Sequence, residues 1–321
     1  MNQVEKISDM DLFDRWIYAL KIKSWPKLLV PFFFGQTFGM ANQLSIDPIG
    51  FFTGLAFTIF LLIYIVLLND FADIRVDTVK RNLFPDDCSP KTIPDRILPG
   101  KYVLIGGIIA ALLCVCMSVV LEFFLHKSHS IIFSLICIFV FAAYSLPPIR
   151  LNYRGGGELL EMMGVGFMLP VFHFYLQSDF DFNISFLLFL ILSTLFALAS
   201  ALASGLSDEV SDEEGGKSTF VTLFGNGFVR MMIEVLLVFS VLYLSGCFYF
   251  LKEITSPMTA IVSIPYLSYH VFLVLRKSSR AVTNQFIGQK KYKDHIHKAI
   301  WGTLIILSFF EIVKTINPGL R

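Results

Sequence analysis

The spacing of apolar residues constrains this chain more than any other feature. Nine mostly apolar runs follow one another, at roughly 25–42, 50–68, 102–125, 130–147, 158–177, 184–206, 228–250, 257–275 and 299–316. A helix that crosses a bilayer needs about 20 such residues. Only helices and closed barrels satisfy every backbone polar group in lipid, and runs of this length are helical rather than strand-like. Pro26, Pro31 and Gln36 interrupt the first run. Proline is tolerated in such helices where neighbours satisfy the freed carbonyls. Composition agrees, with 55% hydrophobic and only 16% charged residues, where a soluble domain carries about 25% charged. The expectation is an all-α integral membrane protein of nine transmembrane helices, one domain over residues 1–321.

Lysine and arginine give the direction. Cytoplasmic segments collect positive charge. With the N-terminus and even-numbered span ends placed in the cytoplasm, 22 of the 26 Lys and Arg residues fall inside. The inside residues begin at Lys6 and end at Lys298; the four outside are Lys127, Lys252, Lys314 and Arg321. The inside loops are also the long, charged ones, so any chemistry is expected there. A net charge of +1 argues against a nucleic-acid partner. Cys88, Cys114, Cys116, Cys137 and Cys247 show no metal-ligand spacing, and four of them lie in apolar runs, where cysteine acts as a small hydrophobe.

The second run ends in Asn69-Asp70-Phe71-Ala72-Asp73-Ile74-Arg75-Val76-Asp77. Asn69, Asp73 and Asp77 are four apart and share one face of a continuing helix. Stacked oxygen ligands at a membrane boundary repel one another without a cation between them. Mg²⁺ binds through one or two carboxylates plus substrate phosphates. The sixth run ends in Ser204-Gly205-Leu206-Ser207, followed by Asp208-Glu209-Val210-Ser211-Asp212 and then Gly215-Gly216-Lys217-Ser218-Thr219. Asp208 and Asp212 repeat the spacing at a matching topological position. Two such clusters facing each other could hold two cations bridged by a diphosphate. Lys217 lies inside the second motif. Arg81, Lys91, Arg96, Arg150 and Arg154 lie nearby in sequence, although topology alone accounts for positive charge there.

The two motifs together resemble the UbiA superfamily of intramembrane prenyltransferases. Three further stretches carry the resemblance: Asp95-Arg96-Ile97-Leu98-Pro99-Gly100, Tyr144-Ser145-Leu146-Pro147-Pro148-Ile149-Arg150-Leu151 and Gly155-Gly156-Gly157-Glu158-Leu159. The second motif, with Gly216-Lys217-Ser218-Thr219 after it, is nearest the form seen in menaquinone-type members. The resemblance implies a helical bundle around a central cavity, capped by cytoplasmic loops. It implies Mg²⁺ on a prenyl diphosphate, held by Asn69, Asp73, Asp77, Asp208 and Asp212. Arg81, Arg96, Arg150 and Lys217 would meet the pyrophosphate, and Tyr144 would lie near the allylic carbon. Asp73, Asp208 and Tyr144 are the expected catalytic residues. An aromatic or other lipid-soluble acceptor is the implied second partner, with membrane lipid around the bundle. The segment between Asp77 and Arg96 is longer than the family's linker, and Pro148 stands where some aromatic prenyltransferases have the Lys of Y-x-x-x-K.

These departures keep a second outcome open, a membrane terpene cyclase in which the prenyl chain attacks itself. A transporter with an acidic cation site is the reading from another class. Transporters place such acids near the midplane on broken helices, whereas these sit at span ends. Aromatic faces stabilise a cation, and Phe32, Phe33, Phe34, Phe167, Phe172, Phe174 and Phe196 are candidate cavity liners, as are His173 and Tyr175. His295 and His297 sit in a basic juxtamembrane stretch with Lys290, Lys291 and Lys293, suited to anionic headgroups. Gly106, Gly107, Gly164 and Gly166 are expected at close helix contacts.

Overall fold

The computed structural model describes residues 10–179, 181–250 and 256–317. Lys6, Lys252 and Arg321 therefore lie outside the described residues. Each of the nine predicted runs is helical. In chain order the helices are α1 (Leu12–Ala19), α2 (Pro26–Gln43), α3 (Pro48–Ala72) and α4 (Ile74–Leu83). Next come α5 (Gly100–Phe124), α6 (Ser130–Ser145), α7 (Gly157–Ser178) and α8 (Ile184–Gly205). After α9 (Glu209–Glu214) and α10 (Phe220–Phe224), the chain closes with α11 (Asn226–Phe250), α12 (Pro257–Lys277) and α13 (Phe286–Ile316). Among the described residues there is no strand, only an isolated bridge between Arg154 and Ser218.

Seven of these helices are long and apolar enough to cross a membrane: α3, α5, α7, α8, α11, α12 and α13. The other two expected spans fall short of that measure. Helix α6 is apolar but has 16 residues, and α2 carries Lys27, Gln36, Asn42 and Gln43 among its 18. The last predicted span is longer than its apolar run. Helix α13 starts at Phe286, and its polar first half buries Gln289, Tyr292 and Ile296 along one face.

Glycines set the closest helix contacts. A β-carbon at Gly39 of α2 would lie 2.7 Å from the Gln177 side chain and the Phe174 carbonyl of α7. At Gly166 of α7 it would lie 2.6 Å from Ala197 and 2.8 Å from the Thr194 backbone of α8. Gly106 of α5 faces Trp16 and Leu67 at about 3 Å. Small residues at such crossings let backbones approach where no hydrophobic force drives association.

Some phenylalanines fill the bundle and others, Phe167 among them, face outward. Phe174 stacks on Phe186 at 4.0 Å between centroids, and Phe172 on Phe133 at 4.5 Å. Phe34, Phe172, Phe174 and Phe196 are fully or almost fully buried. His173 is likewise a structural residue. Thr58 donates its hydroxyl to the Gly54 carbonyl (2.9 Å), so Nε2 of His173 must donate to Thr58 Oγ1 (2.8 Å) and Nδ1 must accept from Gln36 (3.2 Å). Gln177 extends the chain, donating to Gln36 Oε1 (2.7 Å) and accepting from the Asp47 amide (3.1 Å). A satisfied buried network fixes one packing, and removing a member strands its partners. His173→Leu is therefore expected to cost on the order of 1–3 kcal/mol, read as a lower unfolding temperature in detergent. An unchanged temperature would remove this role.

Candidate active site

The acidic motifs meet because the chain lets them pack directly together. Helix α3 does not run on uninterrupted; it turns at Asp73 before α4 begins. The helical hydrogen bonds nonetheless continue across the turn, from the Asp73 amide to Asn69 O (2.9 Å) and from the Asp77 amide to Asp73 O (2.8 Å). Asn69, Asp73 and Asp77 consequently stay on one side and all line the same cavity. In the second motif the Asp212 amide bonds Asp208 O (2.7 Å) and the Lys217 amide bonds Asp212 O (2.7 Å). The latter turn passes through Gly216 at φ +74°, a region open to glycine at little cost. A β-carbon on Gly215 would lie 2.6 Å from Val76 of α4. Two adjacent glycines thus seat the second motif against the first.

The cavity measures about 320 Å³ and lies at the charged end of the bundle, bounded by α2, α3, α4, α6, α7, α8 and α9. Asn69, Asp73, Asp77, Tyr144, Asp208, Asp212 and Lys217 all line it. Lys217 Nζ lies 3.0 Å from Asp73 Oδ2 and 4.0 Å from Asp212 Oδ1, joining the motifs through one cation. Lys80 pairs with Asp208, Lys91 with Asp77 (2.5 Å), Lys27 with Glu161 (2.5 Å), and Lys21 with Asp70. Thr92 also donates to Asp70 (2.6 Å).

Electrostatics follow from this interleaving. Burial raises the Asp212 carboxyl to about 7, with Asp208 and Asp73 adding to the rise and Lys217 opposing it. Burial works in the same direction on Asp208, but Lys80 and Lys91 outweigh it and hold that carboxyl near 2. Asp77 is raised by burial against the pull of Lys91. For Lys91 and Lys217 burial favours the neutral amine, yet the facing aspartates prevail and keep both ammonium groups charged. Strongly separated carboxyl pKa values within one cavity are characteristic of functional sites.

The arginines fall elsewhere. Arg81, Arg96 and Arg150 are not among the residues that line the cavity. Arg81 braces the loop after α4, bonding Asp95 Oδ1 (3.0 Å), Pro85 O (2.8 Å) and Cys88 O (3.1 Å). Arg96 is exposed. Arg150 donates to Ala72 O (2.7 Å) and lies 3.4 Å over the Tyr153 ring. Lysines occupy the wall instead, and Lys80 and Lys91 gave no sequence signal beyond the positive charge that topology explains. Asn152, Glu158 and Glu161 also line it. Of the candidate phenylalanines none reaches this cavity; its aromatic wall is Phe141 and Tyr144, while Phe196 lines a smaller pocket beside Trp301. Tyr175 bonds the Ser128 carbonyl (2.5 Å) and does not line it. His297 stacks on Trp301 and His295 faces His270.

Asp73 Oδ1 is buried and lacks a hydrogen-bond partner among the described residues, which fits an oxygen of the expected metal-ligand set. Among the described residues no three His, Cys, Asp or Glu side chains converge to hold an ion unaided. Oxygen donors arranged in pairs suit a hard cation that completes its shell with phosphate oxygens.

Helices enclosing a polar, acid-and-lysine cavity at one end define a polytopic membrane protein with an enzyme-like site. The chain belongs to the UbiA prenyltransferase family, whose model matches residues 28–291. No curated protein matches the sequence. Among solved structures, a UbiA homolog from Archaeoglobus fulgidus bound to DMAPP and Mg²⁺ is similar, at 15% identity and a TM-score of 0.64, over 89% of this chain and 99% of that one. A structure of digeranylgeranylglyceryl phosphate synthase is similar at 14% identity and 0.61, over 95% and 100%. A UbiA homolog from Aeropyrum pernix K1 matches at 12% and 0.64, over 89% and 97%. The fold is therefore the family's intramembrane helical bundle.

Proposed function

We propose that this protein is a Mg²⁺-dependent prenyltransferase that ionises a prenyl diphosphate at the cytoplasmic face and passes the prenyl group to an acceptor, aromatic in the leading case. The observation that carries this reading is Lys217 reaching both Asp73 and Asp212. It puts two acidic motifs, about 140 residues apart in sequence, within reach of one phosphorylated ligand. Membership of the family and the DMAPP and Mg²⁺ in the Archaeoglobus homolog lend support. The strong asymmetry of Lys and Arg supports the orientation.

Asn69, Asp73, Asp77, Asp208 and Asp212 would hold Mg²⁺, which offsets the charge of the diphosphate and of the departing pyrophosphate. Lys217, Lys80 and Lys91, now occupied with aspartates, would turn to the pyrophosphate oxygens and stabilise the charge that grows there. This shifts the clamp from Arg81, Arg96 and Arg150, whose side chains brace loops or face outward. Tyr144 and Phe141 would present ring faces to the allylic cation, worth about 0.5–2 kcal/mol each.

The test uses the full chain in lipid nanodiscs with geranyl diphosphate. Pyrophosphate release is expected with Mg²⁺ and is expected to stop in excess EDTA. Release that persists in EDTA, or no release with prenyl diphosphates of any length, would overturn the proposal. Mass spectrometry of the organic product separates transfer from cyclisation.

A further inference from the structure

Residues 150–157 and 217–220 are remote in sequence but fastened by main chain. The Gly155 amide donates to Ser218 O (2.7 Å), and the Ser218 amide donates to Tyr153 O (3.3 Å), forming the bridge between Arg154 and Ser218. Beside it the Phe220 amide donates to Glu158 Oε1 (2.8 Å). This bond fixes the Glu158 carboxylate and leaves its other oxygen over. Oε2 of Glu158 is buried without a hydrogen-bond partner among the described residues, and so is Nδ2 of Asn152. Glu158 is 8% and Asn152 4% exposed, and both line the cavity. A β-carbon on Gly157 would lie 2.9 Å from Asn152 Oδ1 and 3.2 Å from the Tyr144 ring, so Asn152 and Tyr144 meet beside the residue that precedes Glu158, and all three line the cavity.

Glu158 forms no ion pair among the described residues, unlike the four aspartates of the motifs that line the same cavity. A buried donor and a buried acceptor left over on one cavity wall are costly unless a ligand meets both. A hydroxyl group does so, accepting through its oxygen and donating its proton. Nothing else in the proposed reaction uses either atom.

Resting on the prenyl-diphosphate reading above, we propose that Asn152 and Glu158 form the acceptor subsite, and that the acceptor is a hydroxyl compound deprotonated by Glu158. Asn152 Nδ2 donates to the acceptor oxygen, and Glu158 Oε2 receives its proton. The allylic carbon–oxygen bond breaks with its electron pair leaving on pyrophosphate. The acceptor's electron pair forms the new bond to that carbon. Glu158, now protonated, returns its proton to solvent when product leaves. Tyr144 lies alongside, where the new bond forms.

The experiment supplies geranyl diphosphate and Mg²⁺ to the full chain with phenol, hydroquinone or a long-chain alcohol, and in parallel with their methyl ethers. Transfer is expected to at least one hydroxyl compound and to none of the ethers. In Glu158→Gln the ratio of prenylated product to released pyrophosphate is expected to fall about 100-fold, because Gln still accepts from the Phe220 amide but takes no proton. Asn152→Ala, which keeps Glu158, is expected to raise the acceptor KM about tenfold. Transfer to an ether at a comparable rate, an unchanged ratio in Glu158→Gln, or pyrophosphate release with only cyclic or hydrolysed products would overturn the inference. Absence of any Mg²⁺-dependent pyrophosphate release would instead defeat the function proposed above.

Discussion

Asp73→Asn is expected to lower Mg²⁺-dependent pyrophosphate release about a thousandfold, close to 4 kcal/mol of barrier. Asp73 stands at the turn between α3 and α4, 6% exposed, with one oxygen on Lys217 and the other without a hydrogen-bond partner among the described residues. Asn keeps the size and one acceptor oxygen but removes the charge. A ligand set short of one negative charge binds a divalent ion more weakly, and it offsets less of the charge leaving with pyrophosphate. Both the Mg²⁺ concentration needed and the rate at saturating Mg²⁺ are expected to suffer. The fold is expected to survive, because Lys217 retains Asp212 as a neighbour. Pyrophosphate release across a Mg²⁺ titration, with unfolding temperature as control, reads both effects. Near-normal turnover in a folded variant would take Asp73 out of the metal site.

Lys217→Met carries the second large expectation, a rate lower by about 100-fold. Met reproduces the length of the chain and its packing, not its ammonium group. The Lys217 side chain is 10% exposed and its charge is held by Asp73 and Asp212 against the cost of burial. In the proposed function that charge would turn to the leaving group as a desolvated donor. The same substitution acts on the ligand-free protein. It strips two buried carboxylates of their shared cation, a loss on the order of 3 kcal/mol. Mg²⁺ is expected to restore part of that stability in the variant and to do so less in the wild type, which separates loss of charge from loss of packing. A variant with both normal rate and normal stability would show that Lys217 only neutralises topology.

Much of this is visible in residue spacing. Each apolar run is helical among the described residues, because hydrocarbon leaves the backbone no other way to satisfy itself, and seven of those helices are long and apolar enough to cross a membrane. The i, i+4 spacing of Asn69, Asp73 and Asp77 survives the turn at Asp73, since the hydrogen bonds do. Other parts were hidden for definite reasons. Lys91 and Arg96 are five residues apart in one loop; only the fold of that loop puts Lys91 on the cavity wall and Arg96 outside. His173 stands in an apolar run like a ligand, yet its partners Gln36 and Thr58 lie more than a hundred residues away. Lipid-facing and core phenylalanines read alike in sequence, so the true wall residue, Phe141, was not among those singled out. Asn152 and Glu158 depend on a main-chain bridge that no residue pattern encodes.

That bridge between Arg154 and Ser218 is made of peptide groups, indifferent to the side chains they carry. Replacing the groups at 152 or 158 would redecorate the chamber while leaving its masonry in place. A scaffold fastened in this manner can hold its shape while the side chains facing the cavity change.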